Sequence, residues 1–416
     1  MNILILCGHN LSQYDYASVI NMTEHNVYLF ADELFVTKEA VEMNNKMYRE
    51  IRVYNDYFSN PIVELDAIEL HNRINIDAVV AIREMDILRA ARLRDYFKIS
   101  EGQSYLSACA FRDKILMKEY ARQANLKTPN YKLIRTATDL YEFIETYKYP
   151  VFVKPIASAG SVNAKALRNR ADLSNFIENN LKNKIKFGAF LDEYQVEEYI
   201  GSDFYHCDGI IIDNEIVVCE PGKYNTHADM EHIRKYGYWS TNMLDDSNPL
   251  RQKINQYVEK LLNIMPTPRN TIFHSELFIE QDGEIILCEI GSRMPGGAMA
   301  KAIESIYSID LFKLSVEFNL GYSSLSKDVV LSPSNKRTGS VFIHPKSKVF
   351  KGAQDSCDLE GVLSYDLMAE KNKDYKGGEH SCDGAAMFVV KGITEKTREK
   401  NLSRAVNWFW GNSSWE

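Results

Sequence analysis

The chain has 416 residues, with 49 Lys plus Arg against 57 Asp plus Glu and a formal charge of −8. This length allows two or three domains with sizeable cores, and 45% hydrophobic with 25% charged residues is too apolar for disorder. The acidic balance excludes a dedicated binder of nucleic acid or anionic membrane, which needs a basic stripe, but leaves room for a basic pocket around a phosphate ligand.

Met1 to Cys7 has no basic segment, and its apolar run is too short for a signal peptide. No run of about 18 apolar residues is present to span a bilayer. The seven cysteines are scattered, with no C-x-x-C pair, which suits free thiols in a reducing compartment. The expectation is a cytoplasmic protein.

Residues 1–112 read as alternating strands and helices, the pattern of a parallel sheet with helices on its faces. Ile3–Cys7, Asn26–Phe30 and Asp77–Ala81 are the strands, and Asp86–Phe97 is a helix. The turn Gly8-His9-Asn10 lacks the glycine spacing of a dinucleotide fingerprint, so no NAD site is expected. After a polar break at Ser100–Ser104, Met117, Tyr120, Ala121 and Ala124 form one apolar helical stripe that Thr128-Pro129 ends.

From Tyr149-Pro150 the chain reads as strands and turns with one clear helix. Asn248 caps that helix, Pro249 sits at its first position, and Ile254, Tyr257, Val258, Leu261 and Leu262 form its apolar face. The last hundred residues contain a β-rich stretch, a strand at Ala386–Val390, and a final helix burying Leu402, Ala405, Val406 and Phe409. Trp408, Trp410 and Trp415 gather at the end. A docked tail is favoured there, with a homodimer interface as the alternative. His227-Ala228-Asp229-Met230-Glu231-His232 misses the i, i+4 spacing of a zinc protease and reads as a substrate-facing loop or plain surface.

Two segments carry chemistry. In Phe273–Glu289, Asp282-Gly283 between β-rich runs predicts a two-residue hairpin turn that pairs Gln281 with Glu284. Glu276 then lies opposite Glu289, with Cβ atoms about 5 Å apart, where like charges destabilise a sheet. Solvation, protonation of one carboxyl, or a cation between them relieves this. Apolar neighbours favour the cation, and oxygen ligands without nearby Cys or paired His favour Mg²⁺ or Mn²⁺. Gly291-Ser292-Arg293-Met294-Pro295-Gly296-Gly297 follows, offering an Arg for a phosphoryl or carboxylate group and backbone N–H groups for the same anion. The second segment is the apolar strand Val151-Phe152-Val153, which ends at Lys154-Pro155. Ser158-Ala159-Gly160-Ser161 then supplies a small-residue loop able to close over phosphates, without the Walker spacing.

Together these segments resemble the ATP-grasp superfamily, whose members couple ATP hydrolysis to joining a carboxylate with an amine. Arg112-Asp113-Lys114 with Met117-Lys118 resembles its entry helix, which implies that Lys114 contacts ATP phosphates. Lys154 matches its second nucleotide lysine, with Ser158, Gly160 and Ser161 in the phosphate loop. Val196-Glu197-Glu198-Tyr199-Ile200 resembles the adenine hinge, placing Glu197 near the adenine amino group and the backbone of Glu198 and Ile200 beside it. Asp203 would take the ribose hydroxyls. Glu276 and Glu289 match the Mg²⁺ ligands and Arg293 the phosphate-side arginine. Gly296, Gly297 and His274 would stand near the substrate.

Within the superfamily, His274-Ser275-Glu276 and Glu289–Gly297 look most like the L-amino-acid ligases. Two departures stand out. Gly291 occupies the place where many members have a metal-binding Asn, and the phosphate loop carries only Gly160 where relatives have a glycine run. The resemblance implies a multidomain α/β and α+β protein with a Rossmann-like N-terminal domain at 1–112. The ATP-grasp core would span 113–315, with a lid at about 124–196, and a β-rich subdomain 316–416. It implies an ATP- and Mg²⁺-dependent ligase that joins L-amino acids through an acyl phosphate, with Lys154 and Arg293 as catalytic groups. The rivals are the same chemistry on a carrier-bound or biosynthetic intermediate, and a catalytically silent nucleotide binder.

Overall fold

The computed structural model describes the chain except for residues 37–40, 42–46, 182–184, 187–188, 191–193, 226–234, 329–336 and 379–382. The His227–His232 segment and Cys382 therefore lie outside the described residues, and the other cysteines are free thiols. Among the described residues, no helix is long and apolar enough to cross a membrane.

The first sheet is parallel, with β1 (Asn2–Cys7), β2 (Asn26–Asp32), β3 (Glu50–Tyr54) and β4 (Ala78–Val80) in the order β3-β2-β1-β4. Ile3 to Cys7 are fully buried because both faces of this sheet are covered. Helices Ile62–Ile74 and Ile87–Phe97 pack against it. The chain turns at Gly8, where a Cβ would lie 2.5 Å from the Phe58 ring and the ring would have to shift to admit it. The strand at Glu50–Tyr54 and the helix at Ile62–Ile74 are additions to the expected elements.

Helix Tyr105–Arg112 leads directly into helix Lys114–Gln123. Asp113 separates them, and its carboxylate accepts from the backbone N–H of Ile115 at 2.8 Å and Leu116 at 3.1 Å. The motif aspartate is thus an N-cap, a role that stabilises a helix by about 1 kcal/mol. Met117 and Ala121 are buried as the stripe requires, but so are Lys114 and Lys118 on the adjoining face.

A second, antiparallel sheet has the order β5-β10-β6-β7, formed by β5 (Tyr131–Ile134), β6 (Val151–Pro155), β7 (Lys165–Leu167) and β10 (Tyr194–Glu198). Between β7 and β10 come helix Arg170–Phe176 and the short pair β8 (Ile185–Lys186) and β9 (Ala189–Phe190). The stretch after Pro150 therefore holds more helix than its alternation suggested. Asn169 caps the Arg170–Phe176 helix, and Leu173 and Phe176 bury its single apolar turn. Seven residues are too few to establish a helical period.

The third sheet has eight strands in the order β15-β14-β11-β12-β13-β16-β19-β18. Its members are β11 (Asp203–Ile212), β12 (Glu215–Tyr224), β13 (Tyr238–Met243), β14 (Thr271–Ile279), β15 (Ile285–Gly291), β16 (Thr338–Ile343), β18 (Val362–Leu367) and β19 (Ala386–Lys391). Strands from both sides of residue 315 share this one sheet. Helix Pro249–Ile264 begins as expected, with Asn248 accepting from Leu250 N at 3.0 Å, and its five predicted apolar residues are all buried. Helices Met299–Tyr307 and Leu311–Asn319 follow β15 and were not anticipated.

The C-terminal helix Glu395–Gly411 buries Leu402, Ala405, Val406 and Phe409. Burial of Leu402, Val406 and Phe409 contributes roughly 1.5–3 kcal/mol each. The fully buried Arg398 staples the helix to the sheet, donating to Asn242 Oδ1 at 2.7 Å, Met243 O at 2.6 Å and Asp245 Oδ1 at 2.7 Å. The tail docks as a strand: β20 (Ser413–Trp415) pairs with β17 (Phe350–Ala353), and Trp415 packs on Phe350 with ring centroids 4.8 Å apart.

Candidate active site between the two antiparallel sheets

The hairpin β14–β15 opposes Glu276 to Glu289 and His274 to Gly291, as expected, but by a different route. The turn is not the two-residue one. Gly283 N donates to Glu280 O and Glu280 N donates to Glu284 O, each at 2.9 Å, so Gln281, Asp282 and Gly283 form a three-residue loop. Gly283 has a φ of 84°, which suits glycine in this loop type. The resulting one-residue offset is cancelled by a β-bulge, where Glu276 pairs with Glu289 but Leu277 pairs with Leu287. The extra residue, Cys288, re-aims the strand beside the site.

Hydrogen-bonding and charged neighbours offset the repulsion between the two carboxylates. Lys114 Nζ stands 3.0 Å from Glu289 Oε2, and the Tyr224 hydroxyl donates to Glu276 Oε1 at 2.9 Å. His274 Nε2 lies 3.6 Å from the same oxygen. Burial pushes the Glu276 carboxyl up, but its contacts with His274 and Tyr224 hold it below the usual range. The pair is partly exposed and all-oxygen, which fits a hard divalent cation.

Beneath it, Glu197 pairs with two lysines. Its carboxylate is 2.7 Å from Lys154 Nζ and 3.0 Å from Lys118 Nζ, and all three residues are buried. Burial lowers the Lys118 ammonium to about 8 against the opposing pull of Glu197. Burial also works against the Lys154 ammonium, but the nearby Cys288 sulfur, Glu197 and Glu289 raise it. Lys118 also donates to Gln195 Oε1 at 3.2 Å. Lys154 stands at the end of β6, which runs antiparallel to the hinge strand β10.

The loop after β6 is anchored through its backbone. Lys114 N donates to Ile156 O at 3.0 Å, Lys114 Nζ to Ser158 O at 2.9 Å, and Arg112 Nη2 to Ala157 O at 2.6 Å. Gly160 and Ser161 both have positive φ, at 63° and 58°. Arg293 donates through Nε to Glu84 Oε2 at 2.7 Å and through Nη1 to Met294 O at 2.7 Å. Burial opposes its charge, but Glu84 holds the guanidinium protonated. Gly291, in the Asn position, lies beside this arginine, whose Cγ is 3.5 Å from where a Cβ would stand.

Other expected site residues lie farther from this charge cluster. Asp203 pairs with Lys223 at 2.7 Å on an exposed surface. The Glu198 side chain accepts from Asn130, and Ile200 is half-buried after the hinge. Gly297, with a φ of 58°, packs so closely on Trp239 that a Cβ would come within 2.8 Å, while Gly296 has open space.

Three features escaped the sequence reading. Glu84 is the first. The second is Asp208, fully buried between His274 Nδ1 at 2.5 Å and His206 Nδ1 at 2.6 Å. Burial alone would lower His274, but Asp208 raises it to about 9, so its Nε2 presents a proton toward Glu276. The third is Tyr224. All three sit on strands or turns far from the hairpin in sequence. Only the alternation His206-x-Asp208 on β11 hinted at a shared face.

Residues 147–301 match the ATP-grasp domain family. The chain is similar to the L-arginine-specific L-amino acid ligase of Bacillus subtilis, with 24% identity over 253 residues that cover 59% of this chain and 58% of that protein. It is also similar to dapdiamide A synthase of Enterobacter agglomerans, with 24% identity over 263 residues that cover 62% and 58%. The alignments thus span under two thirds of these curated relatives.

Among solved structures, the L-amino acid ligase from Bacillus licheniformis superposes with a TM-score of 0.75 at 14% identity, covering 100% of this chain and 98% of that one. The MgADP-containing biotin carboxylase domain of Hydrogenobacter thermophilus 2-oxoglutarate carboxylase gives 0.66 at 14% identity, covering 99% and 90%. The fold is the ATP-grasp fold.

Proposed function

We propose that this chain, whose fold and residues 147–301 are those of the ATP-grasp superfamily, is an ATP-dependent carboxylate–amine ligase that joins two L-amino acids. The observation that carries the reading is the opposed pair Glu276 and Glu289, with Lys114 3.0 Å from Glu289 and Arg293 held nearby by Glu84. Such a constellation suits phosphoryl transfer, which demands positioning and charge stabilisation more than covalent chemistry.

Glu276 and Glu289 would hold Mg²⁺, with Mn²⁺ as an alternative, and the ion would neutralise charge on the phosphoryl oxygens. Lys114 and Lys154 would face the phosphates, and Arg293 the transferring group. The substrate carboxylate attacks the γ-phosphate, giving an acyl phosphate and ADP. The amine of the second amino acid attacks the activated carbonyl, forms the amide bond and expels phosphate. Both relatives named above that carry curated functions are synthases or ligases by name, which supports the reaction class.

The test is a pairwise screen of L- and D-amino acids with Mg-ATP, reading ADP release and product mass. The expected result is ADP release that needs two amino acids and yields a dipeptide mass. ADP release restricted to D-amino acids, or none with any pair, would overturn the assignment.

A further inference from the structure

Glu84 belongs to none of the motifs above, yet it ties three separate segments together. It follows β4 in the short turn Glu84–Asp86 of the N-terminal part. One carboxylate oxygen accepts from Arg112 Nη1, and the other from Arg293 Nε at 2.7 Å. Arg112 then reaches the backbone oxygen of Ala157 at 2.6 Å, inside the loop after β6. A continuous path runs from the loop backbone through Arg112 and Glu84 to Arg293.

The path is well shielded, with side-chain exposures of 4% for Arg112, 11% for Glu84 and 19% for Arg293. Charge-assisted bonds at such exposure are weakly screened and fix orientation. Two guanidiniums share one carboxylate, which leaves one positive charge for an anionic ligand. Burial notwithstanding, Arg293 and Arg112 hold the Glu84 carboxyl down to about 2, so it stays ionised. Gly291 lies against the same pair, with Arg293 Nε and Glu84 Oε1 each 3.9 Å from where a Cβ would stand.

We propose that Glu84 is a positioning residue that couples the orientation of Arg293 to the backbone of the phosphate loop through Arg112. The kinetic part of this proposal rests on the ligase reading, whereas the structural part needs only nucleotide binding. A carboxylate is required because each arginine needs its own acceptor oxygen. In Glu84→Gln, one oxygen becomes an NH₂ that meets a guanidinium donor, and one arm of the path is lost.

The test is hydrogen–deuterium exchange of residues 156–161 in the full chain, with and without Mg-ADP. Mg-ADP is expected to slow exchange there in the wild type, and Glu84→Gln should lose about tenfold of that protection. Arg112→Lys keeps the positive charge but lacks the fork that serves two acceptors, so it should show the same loss. It also carries the test if Glu84→Gln lacks a cooperative thermal transition.

In substrate-dependent ADP release, each variant should lose about 10²-fold in kcat while KM for ATP changes less than about threefold. The double variant should be no worse than either single one. Undiminished loop protection in both variants, or kcat losses that multiply in the double variant, would overturn the coupling. A wild type protected by Mg-ADP but forming no product would sink the ligase reading and leave the exchange result to judge Glu84. Absence of any Mg-ADP protection in the wild type would contradict both.

Discussion

Glu289→Gln is expected to lower Mg²⁺-dependent ADP release by about 10³-fold without unfolding the protein. The glutamate is partly exposed, and a glutamine of the same shape keeps the bulged pairing with Glu276. The substitution halves the charge facing the proposed cation and removes the anionic partner of Lys114. Glu276→Gln should have a similar effect, since it weakens the same oxygen set. Lys114→Met separates the metal explanation from the lysine explanation. It should weaken nucleotide binding while the rate still saturates with Mg²⁺, whereas the glutamate variants should need far more Mg²⁺ for half-maximal rate. Unchanged Mg²⁺ dependence in both glutamate variants would show that the pair is only a solvated carboxylate contact.

The second large effect is structural. Glu197→Ala leaves Lys118 and Lys154 buried together without a counter-ion. Breaking a buried pair by removing one partner costs about 3–5 kcal/mol, because the stranded charge has neither water nor its partner. Two stranded ammonium groups also repel each other. The expected readout is a clear fall in the midpoint of the first denaturant transition. Lys118→Met should cost much less, because it removes the surplus positive charge and leaves the Glu197–Lys154 pair intact. A Glu197→Ala midpoint within experimental scatter of the wild type would mean that water solvates this triad and that it does not organise the nucleotide side of the site.

The hairpin shows what the sequence carries and what it hides. Asp282-Gly283 correctly marks a tight connection between two strands. The turn type was wrong by one residue, and a bulge at Cys288 restored the opposition of Glu276 and Glu289. The bulge leaves no compositional trace, since Leu287-Cys288-Glu289 reads as ordinary strand.

Helices with a long apolar face, such as Pro249–Ile264, were legible because period and caps agree. Those at Met299–Tyr307 and Leu311–Asn319 have nine residues each and follow one another closely, so a periodic reading of that stretch blurs them. Lys118 illustrates the opposite limit. A lysine beside an apolar stripe reads as surface, but here the opposite charge that buries it comes from Glu197 on another strand. Glu84 and Asp208 were missed for the same reason, because their partners lie far along the chain.

The central claim is phosphoryl transfer to a substrate carboxylate, and an isotope can follow it directly. With the first amino acid labelled by ¹⁸O in its carboxylate, the account predicts one ¹⁸O in the inorganic phosphate released for each amide bond formed. Label appearing in AMP, with pyrophosphate in place of ADP and phosphate, would contradict it.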